Sequence, residues 1–329
     1  MHTDNEYTKD HRNVLQLLGG YYARWRCVTI RTPDTDNITP SVFDIFRLPM
    51  PLLEELYLEA PWTMVIPWAD ASYPQYFPVR TRLQRFRAEN VNIVYTALHP
   101  RTTCLTTLEI CVRNLPASII WAMLVESAAT LVDVAMMQVH DNLVDALPAH
   151  AVTFPKLQKL LLSGSTALLP GWAGFMTMPY LESLSLASED TLRTSQAFLQ
   201  ASCRSIRTLS LTDSSWSGED AQALRSLDAV CTLRFERGSF EDSFMTALAE
   251  ADLSPDNRWP WIMASLARIE LFSAYPSPFE SDAIIRVVRN RREAAPNAGV
   301  VAIAAVNIYV SPHVPSWLAW MIQEELKQS

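Results

Sequence analysis

The sequence predicts an α/β solenoid, with parallel strands along one side of the chain's coil and helices along the other. Three observations lead there. The phrase apolar-x-x-apolar-x-apolar recurs along the whole chain, its regular copies being Leu53/Leu56/Leu58, Leu157/Leu160/Leu162, Leu181/Leu184/Leu186 and Ile206/Leu209/Leu211. Its first positions fall at 25, 53, 83, 105, 131, 157, 181, 206, 230, 266 and 303, and six consecutive gaps span only 22 to 26 residues. Between the copies lie segments with helical spacing of apolar residues. Self-similarity at that period marks a repeat architecture.

The physics of one copy fits this reading. Its last two apolar positions are two apart, so they point to one face of a short strand. The first, three residues earlier, fills the core as the chain enters that strand. One repeat cannot bury such a face, but a stack of them makes a continuous core. Pattern and period are those of leucine-rich repeats, ~20–29 residues each. The expected form is a horseshoe of about eleven irregular, degenerate repeats, with strands on the concave face and helices on the convex face.

Taken in order, residues 1–24 read as a polar tail and a capping turn, Asn13–Leu18 being stopped by Gly19-Gly20. Residues 25–329 read as the repeat domain. The weaker strands begin at Trp25, Leu83, Leu105, Leu131, Val230, Leu266 and Ile303. Helices are expected over Pro116–Glu126, Leu192–Cys203, Ser217–Leu227, Phe240–Leu253 and Ser281–Ala294. Ser217-Gly-Glu-Asp suits a helix N-terminus. Pro315–Gln328, with Trp317, Leu318, Ile322 and Leu326, reads as a C-terminal capping helix. Four prolines make Ala60–Arg80 a loop or hairpin. A second insert, Asp252–Met263, carries Trp259 and Trp261, which either wall the concave face or fold back over an elongated repeat. From the second strand on, three residues past each last apolar position stand Pro61, Val91, Arg113, Val139, Ser165, Glu189, Ser214, Gly238, Ala274 and Ser311. None is asparagine or cysteine, so irregular turns and uneven curvature are expected.

Several chemistries find no footing. Glycine numbers 8 in 329 residues, about 2.4% against a usual ~7%. The close pairs Gly19/Gly20 and Gly171/Gly174 fit no phosphate loop. Net charge is −8, which leaves no domain-wide basic footprint for nucleic acid. The longest weakly polar run, Ala298–Val310, falls short of the ~20 residues that span a bilayer. Five scattered cysteines include no zinc spacing. Cys104 and Cys111, on one inferred strand, stand ~23 Å apart, beyond the ~7 Å limit for a disulfide. Reduced, buried thiols are expected, and with them a cytoplasmic or nuclear protein. There is no nucleophile elbow, and the one His140-Asp141 pair sits where Asp suits a helix start. No enzyme activity, no cofactor and no metal are expected. The basic run Arg286–Glu293 is read as complementing the dipole at the end of its helix.

The expected interaction surface is the concave face, read from the residues that flank and separate the buried strand positions. Its candidate partner-binding residues are Tyr57, Arg85, Arg87, Glu109, Lys159, Arg234, Glu236, Arg268, Glu270, Phe272 and Tyr309. Mixed charge with Tyr, Phe and Arg anchors suits a protein partner. Anchors gather toward the C-terminal end, so Arg234, Arg268 and Tyr309 are expected to centre the principal site.

The phrases RWRCVTI, LPMPLLEELYLEAP, FPKLQKLLLSG and MPYLESLSLAS resemble the leucine-rich-repeat half of fungal F-box proteins over roughly residues 13–311. That resemblance implies a substrate-recognition subunit of an SCF-type ubiquitin ligase. Only 24 residues precede Trp25, fewer than the ~40 of an F-box, and Leu53, Leu56 and Leu58 are taken as repeat positions. A Skp1-type adaptor is therefore expected as a partner only through an F-box encoded upstream. The other reading is an orphan repeat scaffold without a ligase link. In either reading the chain is a monomer that binds protein rather than membrane.

Overall fold

The computed structural model describes residues 21–31, 50–60, 82–90, 105–111, 117–137, 150–164, 168–187, 192–202, 204–252, 260–277, 282–309 and 314–328. The expected turn Asn13–Leu18, almost all of the first insert, His140-Asp141 and Trp259 lie outside them. The chain groups into two compact units, Met1–Ala146 and Leu147–Ser329, where the sequence takes 25–329 as one domain.

The first unit holds five parallel strands in sequence order, each paired with the next. They are β1 (Cys27–Arg31), β2 (Glu55–Glu59), β3 (Arg85–Glu89), β4 (Thr107–Cys111) and β5 (Asp133–Met137). The Ala117–Ser127 helix lies between the last two. In the second unit six parallel strands again run in sequence order. These, with the small strands between them, are β6 (Val152–Thr153), β7 (Lys159–Ser163), β8 (Met176–Thr177), β9 (Ser183–Ala187), β10 (Thr208–Thr212), β11 (Ser215–Trp216), β12 (Thr232–Glu236), β13 (Ser239–Glu241), β14 (Arg268–Phe272), β15 (Tyr275–Ser277) and β16 (Ala305–Tyr309). The main sheet runs β7-β9-β10-β12-β14-β16, and β11-β13-β15 and β6-β8 form two smaller parallel sheets. The fold is therefore α/β, with long parallel sheets and helices between the strands.

Every strand predicted from the triplet pattern is present, and its register is the expected one. The second and fourth residues are buried in nine of the eleven long strands, for example Leu184 and Leu186 in β9. In the outermost two, β1 and β16, the fourth residues Ile30 and Ile308 are only half-buried. First positions from Leu53 to Ile303 are buried as well. Among described helices, Ser316–Lys327 matches its expectation to a residue. Four others differ, the expected Ser281–Ala294 helix running over Ala283–Ala298. Phe240 belongs to β13, so the helix that follows is Asp242–Ala249. The segment after Leu192 opens as a 3-10 turn before the Gln196–Ser202 helix. The Ser217 helix is short, Gly218–Ala223, where Asp220 accepts the Ser217 N–H at 2.9 Å and the Leu192 N–H at 2.7 Å.

Turns after the strands are more regular than expected. Asn90, Gly164, Asp213, Arg237 and Ser273 all have φ between 51° and 65°, and each stands two residues past its strand's last apolar position. The N–H of each donates to the carbonyl of the last residue of the following strand: Cys111, Ala187, Glu236, Phe272 and Tyr309. At the other end, the carbonyl just before a strand accepts two N–H groups from the next repeat, as Arg207 O does from Cys231 and Thr232 at 2.9 and 3.0 Å. A backbone ladder thus does what a side-chain ladder would do. Asn90 adds one side-chain rung, donating Nδ2–H to Ala60 O at 3.1 Å.

The basic run is mid-helix rather than in a last turn, because its helix extends over Ala283–Ala298. Each guanidinium has an internal partner. Arg291 is fully buried and donates to the carbonyls of Ile262, Met263 and Leu266 at 2.8, 2.9 and 3.3 Å. Arg289 and Arg292 grip the buried Glu325 carboxylate at 3.0 and 2.7 Å. Arg286 pairs with Asp282 and Asp242 at 3.1 and 3.4 Å. Of the two insert tryptophans, Trp261 folds back: it is buried, with the Arg291 guanidinium 5.8 Å from its ring centre. The expectation of buried thiols fails for Cys27, which is exposed because, as the first residue of β1, it stands on the face opposite the core; Cys111 is buried and Cys231 intermediate.

A candidate protein-binding face on each unit

Alternation places the first, third and fifth residues of each strand on the face opposite the core. In a parallel register those residues form straight rows across neighbouring strands, about 4.8 Å apart. Every expected contact residue stands on such a row.

In the first unit the structure joins Tyr57, Arg87 and Glu109. Tyr57 and Arg87 occupy matching positions on β2 and β3, and Glu109 the next on β4. Arg87 reaches Glu109 at 3.2 Å and Glu89 at 3.1 Å, with its guanidinium 4.8 Å from the Tyr57 ring centre. The Tyr57 hydroxyl lies 2.8 Å from Glu59 and 3.2 Å from Glu89. Glu59 in turn takes Arg31 at 2.8 Å. Burial, the bond to Glu59 and the nearby carboxylates push the Tyr57 hydroxyl up to about 12 against the pull of Arg87, so it remains a donor. Burial opposes the Arg87 charge, but its bonds to Glu89 and Glu109 outweigh that and hold it above its usual range. Arg85 stands apart, paired with Glu55 at 2.7 Å. Glu59, Glu89 and Arg31 complete the network, and Glu55 completes the separate Arg85 pair. Each lies two residues along the strand from Tyr57, Arg87 or Thr29, and that same-face spacing is the signal that finds them.

In the second unit Arg234, Glu236, Arg268, Glu270, Phe272 and Tyr309 converge. Arg234 and Glu270 share a row, as do Glu236, Phe272 and Tyr309. Arg234 directs Nε and Nη2 to one oxygen of Glu270, at 3.0 and 2.9 Å, and Nη1 to Glu236 at 3.5 Å. Its guanidinium also sits 4.8 Å from the Phe272 ring centre. Phe272 stacks on Tyr309 with centroids 4.2 Å apart and planes 10° from parallel. A cation, a phenyl and a phenol therefore form one pile, with Tyr309 at its open end. Arg268 comes no nearer than 4.0 Å to Glu270. Lys159, on β7, is not part of the cluster; it is exposed and has no ion pair among the described residues. Between it and the cluster the face is floored by Ser183, Ser185, Thr208, Ser210 and Thr212, the last two buried.

Among the described residues no group of three or more His, Cys, Asp or Glu could hold a metal ion. No described helix is long and apolar enough to cross a membrane. No known family profile and no curated protein sequence matches the chain.

Proposed function

We propose that the chain is a non-enzymatic leucine-rich-repeat domain that binds a protein partner on the polar face of its strands. Within that reading its role is substrate recognition for an F-box-type subunit of an SCF-type ubiquitin ligase. The observation that supports partner binding is the Arg234–Phe272–Tyr309 pile. Interfaces draw most of their energy from Arg and aromatic anchors held rigid before binding, and here three such anchors are already ordered against one another. The F-box connection rests on the sequence phrases that surround the strands. Leu53, Leu56 and Leu58 are buried, in and just before β2, which argues against an F-box formed by Arg47–Leu58.

The test is affinity capture of partners with the wild type, an Arg234→Ala/Arg268→Ala/Tyr309→Ala variant and an Arg85→Ala/Arg87→Ala variant, all checked for folding. Loss of the captured set in the triple variant supports the second-unit face. An unchanged set there, with loss in the Arg85/Arg87 variant, moves the site to the first unit. A Skp1-type adaptor should bind this chain weakly or not at all; firm binding that maps to residues 1–60 would show that Arg47–Leu58 is misread.

A further inference from the structure

We infer that β14 and β16 read an extended acidic–aromatic segment of the partner, with an Asp or Glu on Arg268 and an aromatic ring on Tyr309. This rests on the reading of the second unit's polar face as a binding face.

The two anchors differ from their neighbours in being unspent. Glu270 is held by two N–H groups of Arg234, which leaves Arg268 only a 4.0 Å approach to the other oxygen. The Arg268 side chain remains 55% exposed, with its donors available for a carboxylate. A lysine from a partner would meet Arg268 as a like charge, and Glu270, nearly buried and already held through one oxygen by Arg234, offers it little in return. Charge complementarity therefore selects an acid. Tyr309 is 42% exposed, and among the described residues its one ring contact is the stack on Phe272. Its other ring face is a platform for a flat group. Arg234 already supplies the cation of that pile, so a second cation at its far end is disfavoured and an aromatic ring is the matching occupant.

Register sets the spacing. Arg268 pairs with Ala305 and Phe272 with Tyr309, so Arg268 and Tyr309 stand at opposite ends of two adjacent strands. Four residues of strand cover ~13 Å, and an extended partner covers the same length in the same number of residues. Positions i, i+2 and i+4 of that partner face the sheet together. The i+2 side chain then meets Asn307, midway along β16, whose amide makes no hydrogen bond among the described residues, and Glu270, one oxygen of which Arg234 holds. A small polar residue fits there. The recognised pattern is an acidic residue, then a small polar one, then an aromatic one, each two apart.

The experiment uses the full chain and short peptides containing Asp-x-Ser-x-Trp, with Asn-x-Ser-x-Trp, Lys-x-Ser-x-Trp and Asp-x-Ser-x-Ala as comparisons, read by fluorescence anisotropy. A random peptide display selection runs alongside. The wild type should prefer the Asp/Trp peptide by roughly tenfold or more over each comparison, the scale of one charge-assisted hydrogen bond. Arg268→Glu should reverse the Asp-over-Lys preference, Arg268→Lys should keep part of it, and Tyr309→Ala should erase the Trp-over-Ala preference while retaining Asp over Lys. Circular dichroism confirms that each variant is folded. Equal binding of Asp and Lys peptides, no motif from the selection, or indifference to Arg268→Glu overturns the inference. A selected motif lost on Arg85→Ala/Arg87→Ala but not on Arg268→Glu overturns the inference and leaves face binding standing. A motif indifferent to every face substitution overturns both.

Discussion

Leu184 and Ser185 are adjacent on β9, yet Leu184 is wholly buried while Ser185 is only half-buried. A carboxylate at Leu184 would be an unpaired charge in an apolar core, so Leu184→Asp should cost several kcal/mol or prevent folding, on the order of the ~3–5 kcal/mol of an uncompensated buried charge. Ser185→Asp should change stability by less than about 0.5–1 kcal/mol. Comparing their thermal midpoints tests the register directly, and equal losses would refute it. A second prediction at this scale concerns Glu325. The hydrogen bond from Arg289 holds its carboxyl below the usual range, and Arg292 adds to this against the opposing effect of burial. A depressed folded value means that the ion pair stabilises the protein fully above the ordinary glutamate pKa, ~4.3, and that this contribution fades as pH falls through the folded value. Glu325→Gln should therefore be less stable than wild type at neutral pH, with the gap closing in acid. A denaturation series from pH 7 to about 3 checks it, and a gap that widens in acid would contradict the assignment.

At the scale of elements, the strand-to-turn junction carries the repeat. Arg237 holds φ 51°, a conformation that costs a residue with a Cβ roughly 1–2 kcal/mol. Its ion pair with Asp213 is mostly exposed and adds little. Arg237→Gly should therefore match or exceed the wild type in stability, whereas Arg237→Val, β-branched at positive φ, should lose about 1–2 kcal/mol. Thermal unfolding that ranks Val above Gly would show that the turn is not under this constraint. One residue on, Gly238 answers to space rather than to φ. A Cβ there would overlap the Ser214 carbonyl oxygen and stand 3.1 Å from the Ser214 nitrogen. Gly238→Ala should part β13 from the turn that precedes β11 and lower the melting temperature clearly. The triplet spacing alone made the eleven long strands and their buried faces legible. The turns were not legible, because three residues past the last apolar position, where a side-chain ladder would stand, the residues follow no pattern. The shared feature is a backbone conformation one residue earlier: Asn90, Gly164 and Asp213 are residue types that favour it, but Arg237 and Ser273 are not, so the five make no single pattern. The small β11-β13-β15 sheet escaped for a related reason: two- and three-residue strands leave no period to read.

For the molecule as a whole, what holds the ends matters most, since a stacked repeat is stabilised mainly by its neighbours. The site residues were legible as face positions, because the two-residue alternation assigns them. Their pairing was not, because it joins residues such as Arg234 and Glu270, 36 positions apart, through a register that exists only once the strands align. The same holds for Arg289, Arg291 and Arg292, which read as complementing the dipole at the end of their helix and instead hold the C-terminal end together. The Ser316–Lys327 helix buries Leu318 and Ile322 and supplies Glu325 to two of these arginines. Removing residues 315–329 would uncover β16, which that helix packs against, and leave Arg289 and Arg292 without their carboxylate. The loss should propagate by nearest neighbours. Backbone amide exchange in the truncated chain should accelerate most in β16, less in β14 and β12, and least in β9. A uniform acceleration across the six strands would mean that the unit opens all at once, and unchanged exchange in β16 would mean that the helix is not its cap.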